Sequence, residues 1–247
     1  MSVVVSFTDF GLKGPYTAQV EGAVYDISPD LRFINLIADA PRFEPFLASF
    51  LLAACANYLP EGAVFLCVVD PGVGTAERRP IVVSVDGLVL VGPDNGLFDA
   101  LVNQASAAAL KQTILWCPEN LSKSFHGRDL FAPVAANLAL RGKLPSGQLS
   151  APTPYLSKCN KTDCFQIIYF DDFGNAMTGV RASTLNSGDV ILMKGVEITN
   201  ARTFGDVSEG KLFWYGNSIG LVELAVNRGS ARQRLELMLG DELSIRA

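Results

Sequence analysis

Short apolar runs alternate with amphipathic stretches along the first 140 residues. The apolar runs have strand length and are rich in β-branched residues, whereas the amphipathic stretches carry apolar side chains at helical spacing. The predicted strands are residues 3–7, 33–37, 63–69 and a hairpin over 81–91, and the predicted helices are residues 16–27, 43–58, a stretch from near Asn95, and a stretch from Arg128 to Leu140. Strands that alternate with helices predict an α/β domain with a central, mostly parallel sheet.

The pattern changes after Leu140. Residues 144–164 contain three prolines among several serines and threonines, which is typical of a linker. From Phe165 onward, short apolar runs are broken by turns, and helical periodicity is scarce. We therefore predict an N-terminal α/β catalytic domain over residues 1–150, a linker over 151–164 and a smaller C-terminal all-β domain over 165–247.

The composition supports a folded chain of 247 residues, since 49% are hydrophobic and only 18% are charged. A net charge of −5 without a long basic run argues against a nucleic-acid partner. Five scattered cysteines without paired spacing predict reduced thiols and a cytoplasmic protein. The start of the chain lacks a basic region, so we expect no signal peptide. The longest apolar stretch, residues 46–59, suits a buried helix, and no membrane association is expected.

Polar residues follow two of the predicted strands. Asp9 ends the first strand in TDFG, and Asp70 ends an apolar run in VVDPGVG. At the carboxyl ends of parallel strands such residues tend to face a ligand crevice. Asp70 is equally suited to cap the following turn, and spacing alone leaves both roles open. The segment lacks the lysine and the spacing of a phosphate-binding loop.

The chain has a single histidine, His126, in the segment SFHGRD. A lone histidine is often structural, but any imidazole chemistry in this protein must use His126. Two arginines, Arg78 and Arg79, closely follow Asp70 and offer a guanidinium. One histidine without a cysteine cluster predicts no metal site. A carboxylate, a guanidinium and an imidazole together suffice to orient and polarise a water molecule.

Several segments together resemble one protein family. They are TDFG (8–11), VVDPGVGT (68–75), RRP (78–80), GPDNGL (92–97), SFHGRDLFAP (124–133), DDFGN (171–175) and NSIGLVELAVNRGSA (217–231). In this order they resemble the S-adenosylmethionine (SAM) hydrolases, also called SAM hydroxide adenosyltransferases, which are related to fluorinase and chlorinase. The resemblance covers nearly the whole chain.

The resemblance implies an enzyme that cleaves SAM to adenosine and methionine without a cofactor. Water or hydroxide attacks the ribose 5′ carbon in line, and methionine leaves as a neutral thioether. The family's Asp–Arg–His triad corresponds to Asp70, Arg78 and His126, with Arg79 as the alternative arginine. Family members combine an α/β domain with a barrel-like β domain and form trimers. Their active sites lie between subunits, so a homotrimer is expected here.

The resemblance also implies the substrate contacts. Asp9 corresponds to the carboxylate that binds the ribose hydroxyls, and Phe43 and Phe125 correspond to walls around the ribose and adenine. Asn175 corresponds to a residue that reads the adenine edge, and Ser218 to a contact with the methionine carboxylate. The remaining implied contacts are Asp171, Phe173, Val226 and Arg228.

Two departures from the family pattern keep alternatives open. Gly14 stands where relatives usually carry an aspartate expected to bind the methionine ammonium, so methionine recognition is in question. A histidine that usually follows the second strand is also missing from residues 36–43. The alternatives are a chlorinase-like adenosyl transferase that uses a halide and a weakly active nucleoside-binding or regulatory protein. Halogenating relatives carry tyrosines at the positions of Asp70 and His126, and an ionised Asp70 repels a halide, so hydrolysis is favoured.

Overall fold

The computed structural model describes residues 2–56, 58–75 and 78–247. Ala76 and Glu77, which separate the VVDPGVGT segment from Arg78, lie outside the described residues, as does Asn57 in the predicted second helix. The chain divides into two compact units. The first comprises Met1–Leu52 and Tyr58–Asn160, and the second comprises Ala53–Asn57 and Lys161–Ala247.

A seven-stranded mixed sheet forms the centre of the first unit, with the order β2-β1-β3-β5-β4-β6-β7. Its strands are β1 (Val3–Thr8), β2 (Arg32–Ile37), β3 (Val64–Val68), β4 (Pro80–Val85), β5 (Leu88–Pro93), β6 (Leu110–Thr113) and β7 (Thr153–Pro154). The strands β2, β1, β3 and β5 run parallel, whereas β4, β6 and β7 continue the sheet antiparallel. The predicted α/β fold with a largely parallel sheet is thereby confirmed, as is the hairpin, which is β4 and β5.

Four α-helices occur in the first 160 residues that the structure describes: α1 (Tyr16–Ile27), α2 (Pro45–Ala56), α3 (Asp99–Gln104) and α4 (Ala132–Arg141). Helices α1 and α4 pack together over the sheet, and their apolar faces bury Val20, Val24, Val134 and Leu138 against strand residues such as Leu66. Removing this apolar surface from water stabilises the unit. Helix α3 begins four residues after the predicted Asn95, because residues 94–98 form a turn first.

The second unit is built from antiparallel sheets. Its strands are β8 (Cys164–Phe170), β9 (Ala176–Arg181), β10 (Val190–Met193), β11 (Val196–Ile198), β12 (Leu212–Gly216), β13 (Leu221–Val226) and β14 (Ser244–Arg246), and a short helix α5 covers Ala231–Arg234. One sheet has the order β12-β13-β9-β8 and the other the order β11-β10-β14. The all-β prediction for this part of the chain is confirmed. Val222, Leu224 and Trp214 belong to its apolar core.

Residues 151–164, predicted as a linker, include β7 at the edge of the first sheet. Beyond β7, the Tyr155 hydroxyl donates to Asp99 at 2.7 Å, and the backbone N–H groups of Lys158 and Cys159 donate to the same carboxylate. Hydrogen bonds to a buried carboxylate fix this segment on α3. Across the described part of the chain, no helix combines the length and the apolar character that a membrane crossing requires.

Candidate active site

Asp9 and Asp70 follow two neighbouring parallel strands. Thr8, the last residue of β1, is paired with Val68, the last residue of β3. Both aspartates therefore emerge at the same edge of the sheet, as the sequence predicted. Burial raises the pKa of Asp70, and the negative charge of Asp9 raises it further.

The turn after Asp70 is held by backbone contacts. The Gly72 N–H donates to Asp70 Oδ1 at 3.2 Å, and the Asn95 side-chain amide donates to the Val69 carbonyl at 2.8 Å. Gly74 has a φ of +82°, and a Cβ there would lie 2.6 Å from the Lys123 carbonyl oxygen. Only glycine fits this position, since the backbone oxygen cannot move aside. Through the hydrogen bond from Asn95, the GPDNG turn also fixes the backbone of Val69, the residue that precedes Asp70.

Arg78 lies between Asp70 and His126. Its Nη2 atom is 2.7 Å from Asp70 Oδ2 and 3.0 Å from His126 Nδ1. The side chains of Arg78 and Asp70 are only 6% and 4% exposed, and the guanidinium also faces the ring of Phe131. The neighbouring Arg79 is exposed. Of the two candidate arginines, the structure brings Arg78 to the other triad residues.

The contact with Arg78 fixes the tautomer of His126. A guanidinium has five N–H donors and no acceptor, so Nδ1 must accept and cannot carry a hydrogen. The neutral ring therefore carries its hydrogen on Nε2. A π-helical turn, Gly127–Phe131, follows His126 and leads into α4. A Cβ on Gly127 would lie 2.8 Å from Phe10 Cζ, so glycine allows this ring and the turn to pack closely.

Burial controls the charges of these groups. It raises the pKa of Asp70, although the Arg78 guanidinium and the Gly72 N–H oppose the rise. Burial also lowers the pKa of His126, and the positive charge of Arg78 lowers it further, against the opposing effect of Asp129. The pKa of an unperturbed histidine is about 6.5, so His126 is neutral at pH 7. The site then consists of an ion pair beside a neutral imidazole.

Aromatic rings gather next to His126. The ring of Phe125 packs edge to face against Phe10 and Tyr16, with centroids 5.4 and 5.2 Å away. Arg128 stacks on Phe125. Phe43, in contrast, is 70% exposed and has a φ of 61°, and its backbone N–H donates to Asp9 Oδ2 at 3.2 Å. This N–H opposes the rise in the pKa of Asp9 that burial causes.

The second unit contains a cavity of about 710 Å³. Its walls combine aromatic and apolar residues with a similar number of polar and charged ones. The lining residues that the sequence predicted are Asp171, Phe173, Asn175, Val226 and Arg228. Ser218 is not among the lining residues; it is exposed in the turn between β12 and β13.

A carboxylate–amide pair lies in this cavity wall. Asp171 Oδ1 accepts from the Asn175 backbone N–H, and Asp171 Oδ2 accepts from Asn175 Nδ2, both at 2.8 Å. A carboxylate only accepts, so this contact determines which amide atom is nitrogen. Asn175 Oδ1 is buried and has no hydrogen-bond partner among the described residues. The wall therefore contains a buried amide oxygen whose capacity to accept a hydrogen bond is unused within the part of the chain that the structure describes.

Sequence reasoning missed two aromatic residues of the cavity, although it included Phe173. Phe204 and Tyr215 line it, and with Phe213 they form a cluster with ring centroids 5.1 to 5.7 Å apart. These residues lie in or near apolar strands and resemble ordinary core positions. One signal was available, since Glu223 is a single charge inside the apolar run LVELAV. Among the residues described, no group of three or more His, Cys, Asp or Glu side chains is arranged to hold a metal ion.

Comparison with known proteins assigns the chain to a family. Fold and site define a protein with an α/β unit that carries an Asp–Arg–His site and a β unit that carries an aromatic cavity. The model of the SAM hydroxide adenosyltransferase N-terminal domain matches residues 4–147, and that of the C-terminal domain matches residues 165–244. The chain belongs to the SAM hydroxide adenosyltransferase family.

Individual relatives agree with this assignment. The chain is 37% identical to an (R)-S-adenosyl-L-methionine hydrolase from Thermus thermophilus, over 97% of this chain and 98% of that protein. A fluorinase from Actinopolyspora mzabensis is 22% identical over 92% of this chain and 91% of its own length. The crystal structure of a conserved uncharacterized protein from Thermotoga maritima matches with a TM-score of 0.85 and 30% identity, covering 99% of this chain and 100% of that one.

Proposed function

We propose that this protein is a SAM hydrolase that forms adenosine and L-methionine. The observation that carries the proposal is the line of Asp70, Arg78 and His126, in which one guanidinium joins a carboxylate to a neutral imidazole. The oxygen of water forms a bond to the ribose 5′ carbon while the carbon–sulfur bond breaks. The bonding electrons go to sulfur, which leaves as a neutral thioether and needs no acid. Such a site has only to place the water and accept its proton.

The tautomer of His126 supports a division of roles. Nδ1 accepts from Arg78, so the ring presents Nε2–H and holds the water as a donor. Asp70 is then the acceptor for a hydrogen of the water, and its carboxylate takes the proton as the new bond forms. Arg78 fixes both groups and keeps Asp70 ionised in a buried place. This division assigns base chemistry to the carboxylate rather than to the imidazole.

The substrate contacts follow from the charges and donors available. Asp9 offers a two-oxygen acceptor suited to the two ribose hydroxyls, and Phe43 and Phe125 wall the sugar. Asn175 Oδ1 suits the exocyclic amino group of adenine, because that group is a donor. We assign the walls on the adenine side to Phe173, Val226 and Arg228. Asp171 holds the Asn175 side chain in place, and Ser218 is assigned to bind the methionine carboxylate.

We further propose a homotrimer in which different subunits contribute the ribose-side and adenine-side residues. The test mixes inactive Asp9→Ala and Asn175→Ala proteins after mild dissociation and reassembly. Hybrid trimers then contain some sites with both residues intact, so part of the activity returns. Native mass spectrometry of each parent–variant mixture serves as the control, because it shows whether subunits exchange. If subunits exchange but the two mixed variants stay inactive, the proposal of shared active sites is contradicted. A cytoplasmic location is also proposed, which the scattered spacing of the five cysteines supports.

The decisive experiment follows the products of SAM in water enriched in oxygen-18. The (R) and (S) sulfonium epimers are tested separately, because the Thermus relative is named as an (R)-SAM hydrolase. We expect adenosine that carries oxygen-18 at the 5′ hydroxyl and unlabelled methionine. A chlorinated nucleoside in the presence of chloride indicates the halide-using alternative, and binding without product indicates a nucleoside-binding protein.

Arg78 and Arg79 provide a matched pair of variants for the same assay. Arg78→Gln removes the group that joins Asp70 and His126, and we expect a loss of about 10²–10⁴-fold in kcat. Arg79→Gln changes the same residue type one position away, at an exposed site, and should retain the parent rate. Equal rates in the two variants contradict the assigned triad.

A further inference from the structure

Glu223 is a buried carboxylate in the middle of strand β13. It is 2% exposed, and its strand neighbours are apolar. Burial raises the pKa of Glu223, and the nearby charge of Asp171 raises it further. Burying a charge is unfavourable unless hydrogen bonds compensate, so the position of Glu223 requires a reason.

Two donors approach the two oxygens of Glu223. Tyr215 stands directly opposite on β12, and its hydroxyl donates to Glu223 Oε1 at 2.6 Å. Asn217 Nδ2 donates to Glu223 Oε2 at 2.8 Å. An ionised carboxylate is the side chain whose two oxygens both accept. Hydrogen bonds to a charged acceptor are also stronger than those between neutral groups.

The two donors belong to different features of the second unit. Tyr215 lines the cavity together with Phe204 and Asn175. Asn217 begins the turn that carries Ser218, and its Oδ1 accepts from the backbone N–H groups of Ile219 and Leu221 at 3.1 and 3.0 Å. Because Oδ1 is committed in this way, Nδ2 must point to Glu223.

We propose that Glu223 is a positioning residue for substrate binding, which fixes the Tyr215 ring in the cavity wall and the Ser218 turn from one buried carboxylate. Glu223 does not line the cavity and acts only through Tyr215 and Asn217. The inference rests on the proposed function in that adenosine is taken as the ligand of the cavity. It adds a residue that couples the adenine side of the site to the side assigned to the methionine carboxylate.

The test measures adenosine affinity by calorimetry and SAM turnover for Glu223→Gln, Tyr215→Phe and the double variant. Gln keeps the shape but loses the charge, and we expect adenosine to bind about tenfold more weakly, with a raised KM and a kcat within twofold of the parent. This split follows because binding contacts of this kind act equally on ground and transition states. Tyr215→Phe should weaken adenosine binding by a similar factor. The double variant should bind adenosine about tenfold rather than a hundredfold more weakly than the parent, because the two substitutions remove the same interaction.

Controls separate positioning from folding. Glu197→Gln removes an exposed carboxylate of the same unit and should bind adenosine as the parent does. The melting temperature of Glu223→Gln should not fall, because the neutral amide avoids the burial of a charge. The proposal is overturned if Glu223→Gln binds adenosine as the parent does, or if the losses in the double variant are additive. It is also overturned if the loss of affinity is accompanied by a lowered melting temperature. A parent that binds adenosine but does not hydrolyse SAM refutes the proposed function while the Glu223 test still stands, and a parent that binds no adenosine refutes both.

Discussion

Replacing Asp70 by asparagine keeps the shape of the site but leaves Arg78 without its counter-ion. The sequence alone suggested that an ionised Asp70 repels a halide. In the structure Arg78 lies 2.7 Å from that carboxylate, so its positive charge offsets the repulsion. In the parent, a chloride ion near both groups meets opposing effects of similar size. In Asp70→Asn only the attraction remains.

The magnitude follows from Coulomb's law. At about 4 Å and an effective dielectric constant near 20, one charge contributes about 4 kcal/mol. That energy corresponds to a change of about a thousandfold in a binding constant. The attraction is not lost to solvent, because the Arg78 side chain is only 6% exposed. Chloride should therefore bind Asp70→Asn up to about a thousandfold more tightly than it binds the parent.

The same change should also destabilise the fold. Removing one partner of a buried ion pair typically costs about 3–5 kcal/mol of unfolding free energy. Glu197→Gln is the matched control, because its ion pair with Arg246 is about half exposed and such exposed pairs contribute little to stability. Chloride should recover much of the stability lost in Asp70→Asn, since a ligand at a hundred times its Kd stabilises by about 2.7 kcal/mol.

The assay compares thermal unfolding and SAM hydrolysis in chloride and in gluconate at equal ionic strength, which keeps screening constant. We expect chloride to stabilise and to inhibit Asp70→Asn, and to do neither in the parent or in Glu197→Gln. If parent and Asp70→Asn respond to chloride alike, the charge-compensation argument is wrong. Tight chloride binding to the parent would instead favour the halide-using alternative.

Two further predictions concern protonation and base recognition. The single imidazole of His126 gives one assignable NMR signal, which should titrate with a midpoint below 6.5 and move up in Arg78→Gln; a parent midpoint above 6.5 contradicts the geometry. Because this pKa is lower in the folded state than in the unfolded state, the stability that neutral His126 contributes is complete above about pH 6.5 and is lost as the pH falls to the folded-state pKa. Inosine should bind about 5- to 100-fold more weakly than adenosine, because its carbonyl oxygen leaves the buried Asn175 Oδ1 without a donor; equal affinities would show that Asn175 does not read this edge.

Local patterns predicted the elements better than they predicted the site. The strands that end at Asp9 and Asp70 were recognisable because apolar runs stop at a polar residue, and parallel pairing then brings their ends together. The contact between Arg78 and His126 spans 48 positions, and no local pattern encodes it. Only the resemblance to a family connected them in advance. Tyr215 was missed because an aromatic residue in a strand serves equally well as core and as cavity wall.

The number of residues in the π-helical turn after His126 determines the direction of the imidazole side chain. An α-helix advances 3.6 residues per turn, so each residue rotates a side chain by about 100° around the axis. The wider Gly127–Phe131 turn holds one more residue per hydrogen-bonded loop than an α-helix does, so His126 lies at an angle that an unbroken α-helix leading into α4 would not give it. Deleting one residue from this turn would regularise the helix and swing the imidazole away from Arg78. The direction of the only histidine side chain in the sequence thus depends on one extra residue in the helical turn that follows it.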